Sequence, residues 1–199
     1  MTVHAPSLPR WNVFTRVPPT DTVIDADDLK THLRITGVSD DEYLALLINA
    51  ATGWVEAYTG RRLFTQGVTE QLDFFPWGGV IPLHAYPVDP AAVVVKYDDT
   101  NDVEQTVDAA DYLIHSNRFP PALQTATDAS WPVARAKLGA VRVEMTVGEA
   151  AADVAEVFKQ ALRLICGHLY ETREDTADVT ITEVPMGAKW LLGNHRIWH

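Results

Sequence analysis

A single cysteine, Cys166, stands among 199 residues. No intramolecular disulfide can form, and a disulfide-stapled secreted scaffold is excluded. Long apolar runs are missing too. No stretch approaches the roughly 18 consecutive apolar residues of a membrane span, and residues 1–22 hold no apolar core of the signal-peptide kind. Basic residues are few: 16 Lys+Arg against 27 Asp+Glu, a formal net charge of −11. That balance argues against a protein that grips phosphates by counterion release. Arg61-Arg62 is the only adjacent basic pair, and residues 38–60 carry four acids and no Lys or Arg. An acidic surface suits a conduit past which a duplex slides, because like charge prevents sticking.

Catalytic signatures are equally scarce. There is no Gly-x-Ser-x-Gly elbow, no phosphate-binding loop and no dinucleotide glycine pattern. Cys166 sits between Ile165 and Gly167 in a helical apolar stripe, where a small buried side chain is the plain reading. Asp98, Thr100 and Asp102 imitate the start of a calcium loop. Val103 then stands where the turn glycine belongs and Ala109 where the bidentate Glu belongs, so a solvated hairpin turn fits better. His195 and His199 are four apart without a zincin motif, and His115 and His168 add no ligand spacing. Neither a metal nor a cofactor is expected. With so many acids, no carboxylate pair stands out as a glycosidase couple.

What is present is periodicity. Residues 1–22 hold four of the twelve prolines and read as an extended Pro-rich arm with isolated Trp11 and Phe14. Asp25 to Asp28 place carboxylates at the start of a helix that runs to Gly37. Ser39 and Glu42 form a capping box for the next helix, with Val38 and Tyr43 as its staple. Leu44, Leu47, Ile48, Ala51, Val55 and Tyr58 line one face of that helix, and Gly60 stops it. Residues 63–148 change character. Val93–Tyr97 and Val103–Val107 flank Asp98–Asp102 as a hairpin, and Gly78-Gly79 marks a turn between 72–75 and 80–83. Asp111–Ile114 and Ala140–Val147 read as two further strands. Prolines keep these strands short. Helical spacing returns with Val154, Val157, Phe158, Ala161, Leu162, Ile165 and Leu169. Val179–Val184 follows as a Thr-rich strand or linker.

This pattern predicts an α+β protein: an antiparallel helical bundle core with an inserted small antiparallel β-region and an extended C-terminal tail. The expected divisions are an arm over 1–22, the helical core over 23–62 and 149–178, the β-rich insertion over 63–148, and the tail over 179–199. That tail holds Trp190, Leu191, Leu192, Ile197 and Trp198 with Arg196 among them. Either it folds back on its own core, or it is an aromatic anchor for a partner, since Trp and Arg dominate interface hot spots.

Several segments, in this order, resemble the head–tail connector (adaptor) proteins of tailed phages, prophages and gene transfer agents. They are Leu29-Lys30-Thr31-His32-Leu33-Arg34, Asp40-Asp41-Glu42-Tyr43-Leu44 leading into Ala50-Ala51, and Val55-Glu56-Ala57-Tyr58-Thr59-Gly60-Arg61. Ser130-Trp131-Pro132, Gly139-Ala140-Val141-Arg142-Val143, Gln160-Ala161-Leu162 and His168-Leu169-Tyr170-Glu171-Thr172-Arg173-Glu174 follow. Pro185-Met186-Gly187 and Arg196-Ile197-Trp198 close the set. The resemblance spans residues 23–198 and implies a non-enzymatic virion component. Such a component forms a ring with itself, usually of twelve copies, beneath the portal protein. It extends the DNA channel without sequence-specific binding and offers a platform to a downstream stopper or tail-completion protein. The resemblance places it at the capsid vertex or neck, after assembly in the bacterial cytoplasm, with no membrane partner. It assigns portal binding to Trp190, Leu191, Leu192, Arg196, Ile197 and Trp198. Two other classes stand beside it: a soluble α+β hydrolase, and a small-ligand or carbohydrate-binding module using Trp77, Tyr86 and Trp131.

Overall fold

The computed structural model describes residues 11–17, 22–172 and 185–197. The chain divides into two compact units, one of residues 1–18 and 66–148, the other of residues 19–65 and 149–199.

The second unit is helical: α1 (Ala26–Leu33), α2 (Asp41–Thr59), α3 (Glu156–Glu171) and α4 (Met186–Gly193). Asp25 caps α1 by accepting the Asp28 N–H at 2.7 Å, satisfying one orphan donor of the first turn. The helix ends at Leu33 and not at Gly37, because Arg34 itself takes the left-handed conformation (φ 57°) and its N–H reaches the Lys30 carbonyl. The Ser39 capping box is not formed. Asp40 occupies the cap position of α2 without a side-chain cap bond, and Val38 is largely exposed, so it staples nothing. Asp40 is used differently, accepting the Tyr170 hydroxyl proton from α3. Gly60 (φ 72°) closes α2 as the left-handed stop, its N–H on the Glu56 carbonyl at 2.9 Å. Leu29, Leu44, Ile48, Val55, Phe158 and Leu162 meet in one core. Arg163 of α3 clasps both carboxylate oxygens of Asp28 on α1, at 2.8 and 3.1 Å.

The other unit holds two antiparallel sheets. Strands β1 (Trp11–Val17), β2 (Gln66–Leu72), β8 (Val141–Val147), β4 (Val88–Asp98) and β5 (Glu104–Thr106) form the first, in the order β1-β2-β8-β4-β5. Strands β3 (Val80–Pro82), β7 (Ala122–Thr125) and β6 (Tyr112–His115) form the second, in the order β3-β7-β6. Burial alternates strictly along β8, with Val141, Val143, Met145 and Val147 inward. They share a core with Val68, Leu72 and Val95 of the same sheet and with Ile81, Leu123 and Tyr112 of the other.

Several expectations change here. Within the expected arm over 1–22, Trp11–Val17 is a strand that pairs with β2 from Trp11↔Leu72 to Val17↔Gly67. The insertion begins after Thr65 rather than at 63. Leu63 and Phe64 are buried in the helical core, and the Thr65 N–H donates to the Glu149 carbonyl at 3.0 Å where the chain returns. Gly78-Gly79 is the expected turn, with Gly79 at φ 69°, and it carries the chain from β2 in one sheet to β3 in the other. The 93–107 hairpin forms in the register Lys96↔Thr106 and Asp98↔Glu104, so Asp98 ends β4 and the turn starts at Asp99. The tail is not extended over Met186–Gly193, which is helix α4. The Val179–Val184 strand or linker lies outside the described residues.

Candidate partner-binding surface

Helix α4 has two faces set by its spacing. Ala188 and Leu192, four apart, are fully buried in the core with Phe158, Ala161, Leu162 and Ile165 of α3. Met186 and Trp190, also four apart, lie about half a turn away and are 79% and 80% exposed. The segment starts on Pro185, whose carbonyl accepts the Ala188 N–H at 2.9 Å.

Beyond α4 the chain settles on the last turn of α2. The Ile197 N–H donates to the Thr59 carbonyl at 2.8 Å, one of the carbonyls a helix C-terminus leaves without an internal partner. The Arg196 guanidinium lies 5.1 Å above the Tyr58 ring, which stacks in turn on Trp54 at 4.8 Å. The His195 ring meets the Phe158 ring edge-on at 5.1 Å, and Arg61 lies 5.5 Å from the same ring.

The residues singled out for a partner therefore separate. Trp190 is exposed and Leu191 half-buried, while Arg196 and Ile197 contact α2 of their own unit. Leu192 has no surface to offer, because the helical phase turns it into the core. Trp198 and His199 lie outside the described residues. Met186, which shares the exposed face of α4 with Trp190, was not singled out from the sequence; its i,i+4 relation to Trp190 was the available signal once a helix is recognised there.

The other constellations resolve into packing and ion pairs. Cys166 is fully buried, and burial pushes its thiol up to about 12, which leaves no reactive thiolate. Asp98 accepts two hydrogen bonds from Arg142, at 2.6 and 2.9 Å, and pairs with Lys137 at 2.8 Å. Asp102 pairs with the same Lys137, and the Asp102 backbone is left-handed (φ 67°). Among the described residues no group of three or more His, Cys, Asp or Glu could hold a metal ion. No described helix is long and apolar enough to cross a membrane. The three aromatics of the binding-module reading do not form one platform. Trp131 stacks on Phe75 at 5.0 Å and donates its indole N–H to the Gly79 carbonyl, while Tyr86 meets Phe119 edge-on. Trp77 is 90% exposed.

Sequence and fold comparisons converge. Residues 24–97 match the family described as phage gp6-like head-tail connector protein. Comparison with curated proteins gives no match. A chain in the neck of an empty gene transfer agent particle, computed with C6 symmetry, superposes with a TM-score of 0.73 at 25% identity, over 96% of each chain. A chain in the virion of a native gene transfer agent particle gives 0.71 at 26% identity, over 95% of this chain and 96% of that one. A chain in the neck of the native particle, computed with C12 symmetry, gives 0.72 at 24% identity over 96% of each, a likeness of fold.

Proposed function

We infer that this chain is a head–tail connector, a structural component of a phage-like particle. One observation carries the reading: the whole fold, both units included, is shared with neck and virion chains of gene transfer agents at 25–26% identity over 95–96% of the length. The family match over residues 24–97 supports it independently.

From that premise we propose the rest. The chain works without catalysis, as a member of a closed ring of twelve copies in the virion neck, assembled in the bacterial cytoplasm. A ring of this kind needs a head-to-tail interface whose rotation closes. The symmetry of the related necks supports a ring count of six or twelve. Portal protein binds on one side, through the face of α4 that carries Met186 and Trp190, with Trp198 beyond it. A stopper or tail-completion protein binds on the other. DNA passes through without sequence-specific contact, and the net charge of −11 disfavours adhesion to it.

Electron microscopy of the purified protein mixed with portal rings of the same particle tests this. A layer of density added to the portal supports the connector, and no association under any assembly condition sinks it. Truncation at residue 185 would not isolate the anchor, because it also strips Ala188 and Leu192 from the core. The paired substitution Met186→Ala and Trp190→Ala removes only the exposed face. Docking that persists in this variant moves the anchor elsewhere.

A further inference from the structure

We propose that a groove in the β-sheet unit receives Arg118 and Phe119 of a second copy of this chain, a head-to-tail contact that rests on the ring reading above. The groove, about 1330 Å³, runs between the segment from Asp73 to Gly79 and the segment from Ala129 to Leu138. Within it the Phe75 and Trp131 rings stack with an interplanar angle of 7°, and the Trp131 indole N–H donates to the Gly79 carbonyl. Its rim is apolar. Trp77, Val133 and Leu138 are 90%, 77% and 79% exposed, three large apolar side chains on one surface that water solvates poorly.

Charge points to the occupant. Arg135 and Lys137, the cations of the groove, are already paired with Asp102 and Asp98. Asp73 is the acid of its lining. One Asp73 oxygen accepts the Gly139 N–H at 2.9 Å, and the other makes no hydrogen bond among the described residues. The groove therefore offers aromatic walls beside a carboxylate, which suits a cation next to an aromatic ring. The same unit carries that combination. Arg118 is exposed and forms no ion pair among the described residues, whereas Lys96, Arg135, Lys137 and Arg142 of this unit each hold an acid. Its neighbour Phe119 is 45% exposed, its ring steadied edge-on by Tyr86 at 5.8 Å.

The two patches lie at opposite ends of the β3-β7-β6 sheet. Gly79 and Thr125 border the groove, where the Thr125 N–H donates to the Gly79 carbonyl at 3.0 Å. The loop with Arg118 and Phe119 leaves the sheet at the other end, where His115 pairs with Ala122. Strand β7 runs between them for about 10 Å, at about 3.4 Å per residue, and its buried Leu123 fixes that separation in the core. A chain therefore cannot fill its groove with its own loop. Two unlike surfaces at opposite ends of one sheet are what a heterologous contact needs, each copy giving one and receiving the other until the ring closes.

Cross-linking on assembled rings tests the contact. Full chains carrying Trp77→Cys, and differently tagged chains carrying Arg118→Cys, are mixed with portal rings and treated with a short bis-maleimide. Cys166 does not react, because its thiol is buried and pushed up to about 12. Both substituted side chains are exposed and hold no core, so the variants fold. The expected product is a dimer joining the two tags, abundant in the mixture and lost when either variant is used alone. Wild-type chains that form no ring on the portal by electron microscopy sink the connector reading, and this contact with it. Rings that form normally without the mixed dimer overturn this contact alone and give the groove to a different partner. A dimer formed by Trp77→Cys chains by themselves also overturns it, because the groove would then face its own counterpart. Arg118→Glu sets like charges together and should lower the copies bound per portal at limiting concentration at least about fivefold. Adding Asp73→Asn, which keeps an oxygen for the Gly139 N–H, should restore part of that loss. An Arg118→Glu chain that binds normally, or a loss that Asp73→Asn does not relieve, overturns the charge pairing.

Discussion

Asp98 and Arg142 are joined by two hydrogen bonds, 2.6 and 2.9 Å long, across the neighbouring strands β4 and β8. Arg142 also reaches Glu104 on β5, and Lys137 bridges Asp98 to Asp102. One carboxylate thus ties two strands to the segment entering β8. Its side chain is only 9% exposed. Removing Asp98 takes away its charge-assisted hydrogen bonds but leaves Arg142 paired with Glu104 and Lys137 with Asp102, so Asp98→Ala should lower the unfolding free energy by about 1–3 kcal/mol. Urea unfolding of the two proteins reads this directly.

The same pair gives an acid limb to the stability profile. The Arg142 guanidinium, and Lys137 after it, hold the Asp98 carboxyl well below the usual carboxylate range. A depressed folded-state pKa means the stabilisation is complete above the unfolded value, about 3.9, and is lost as pH falls toward the folded one. Asp98→Asn should therefore flatten part of the fall in stability below about pH 4. Urea midpoints across pH 2–6 test it, and an unchanged acid slope in Asp98→Asn would contradict the assignment.

Glu70 gives the opposite sign. It is fully buried, and its oxygens accept the backbone N–H groups of His84 and Ala85 at 2.7 and 2.9 Å, with the His84 ring at 3.1 Å. The hydrogen bond that the His84 ring donates to Glu70 raises the His84 pKa against the lowering effect of burial. That contribution is complete below the unfolded histidine value, about 6.5, and disappears as pH rises through the folded one. Unfolding measured from pH 5 to 9 should show this loss in the wild type and not in Glu70→Gln. The variant keeps an oxygen for the two backbone donors and should cost about 1–3 kcal/mol at pH 6.

The elements that the sequence makes legible are those whose local signals agree with their packing. Helix α2 has an apolar stripe ending in a glycine, and β8 alternates cleanly, so both are readable before any contact is known. Strand β2 is hidden because its inward row includes Glu70, a charge made tolerable by three hydrogen bonds from His84 and Ala85. The end of α1 is hidden because Arg34 adopts a conformation usually left to glycine. Helix α4 is short, begins after Pro185 and ends on Gly193, and is helical chiefly because its buried face packs on α3. Until its helical phase is known, Leu192 and Trp190 look alike as apolar tail residues. The candidate surface was therefore legible as a segment but not residue by residue.

The joint between Ile197 and Thr59 predicts a local effect. Ile197→Pro removes the N–H that satisfies the Thr59 carbonyl at the end of α2. The loss, about 1 kcal/mol for one hydrogen bond, should appear as faster amide exchange over residues 194–196 with the α2–α3 core unchanged. Global destabilisation beyond about 3 kcal/mol would mean that this joint holds far more than its one bond.

Leu192 and Trp190 are two residues apart, and their substitutions should behave as opposites. Leu192 is fully buried among α3 side chains, so Leu192→Ala removes transfer energy and leaves a cavity, costing about 2–5 kcal/mol. Trp190 is 80% exposed, and Trp190→Ala should change stability by no more than about 0.5 kcal/mol. Portal-ring association should reverse the ranking. Trp190→Ala weakens it at least tenfold in a protein as stable as the wild type. Leu192→Ala leaves it intact at temperatures where that variant remains folded. Paired urea titrations and sedimentation with portal rings measure both properties on the same preparations. A Leu192→Ala chain that is folded yet fails to bind would show that α4 must hold its position on α3 for its exposed face to engage. A Trp190→Ala chain that binds normally would remove this face from the interface.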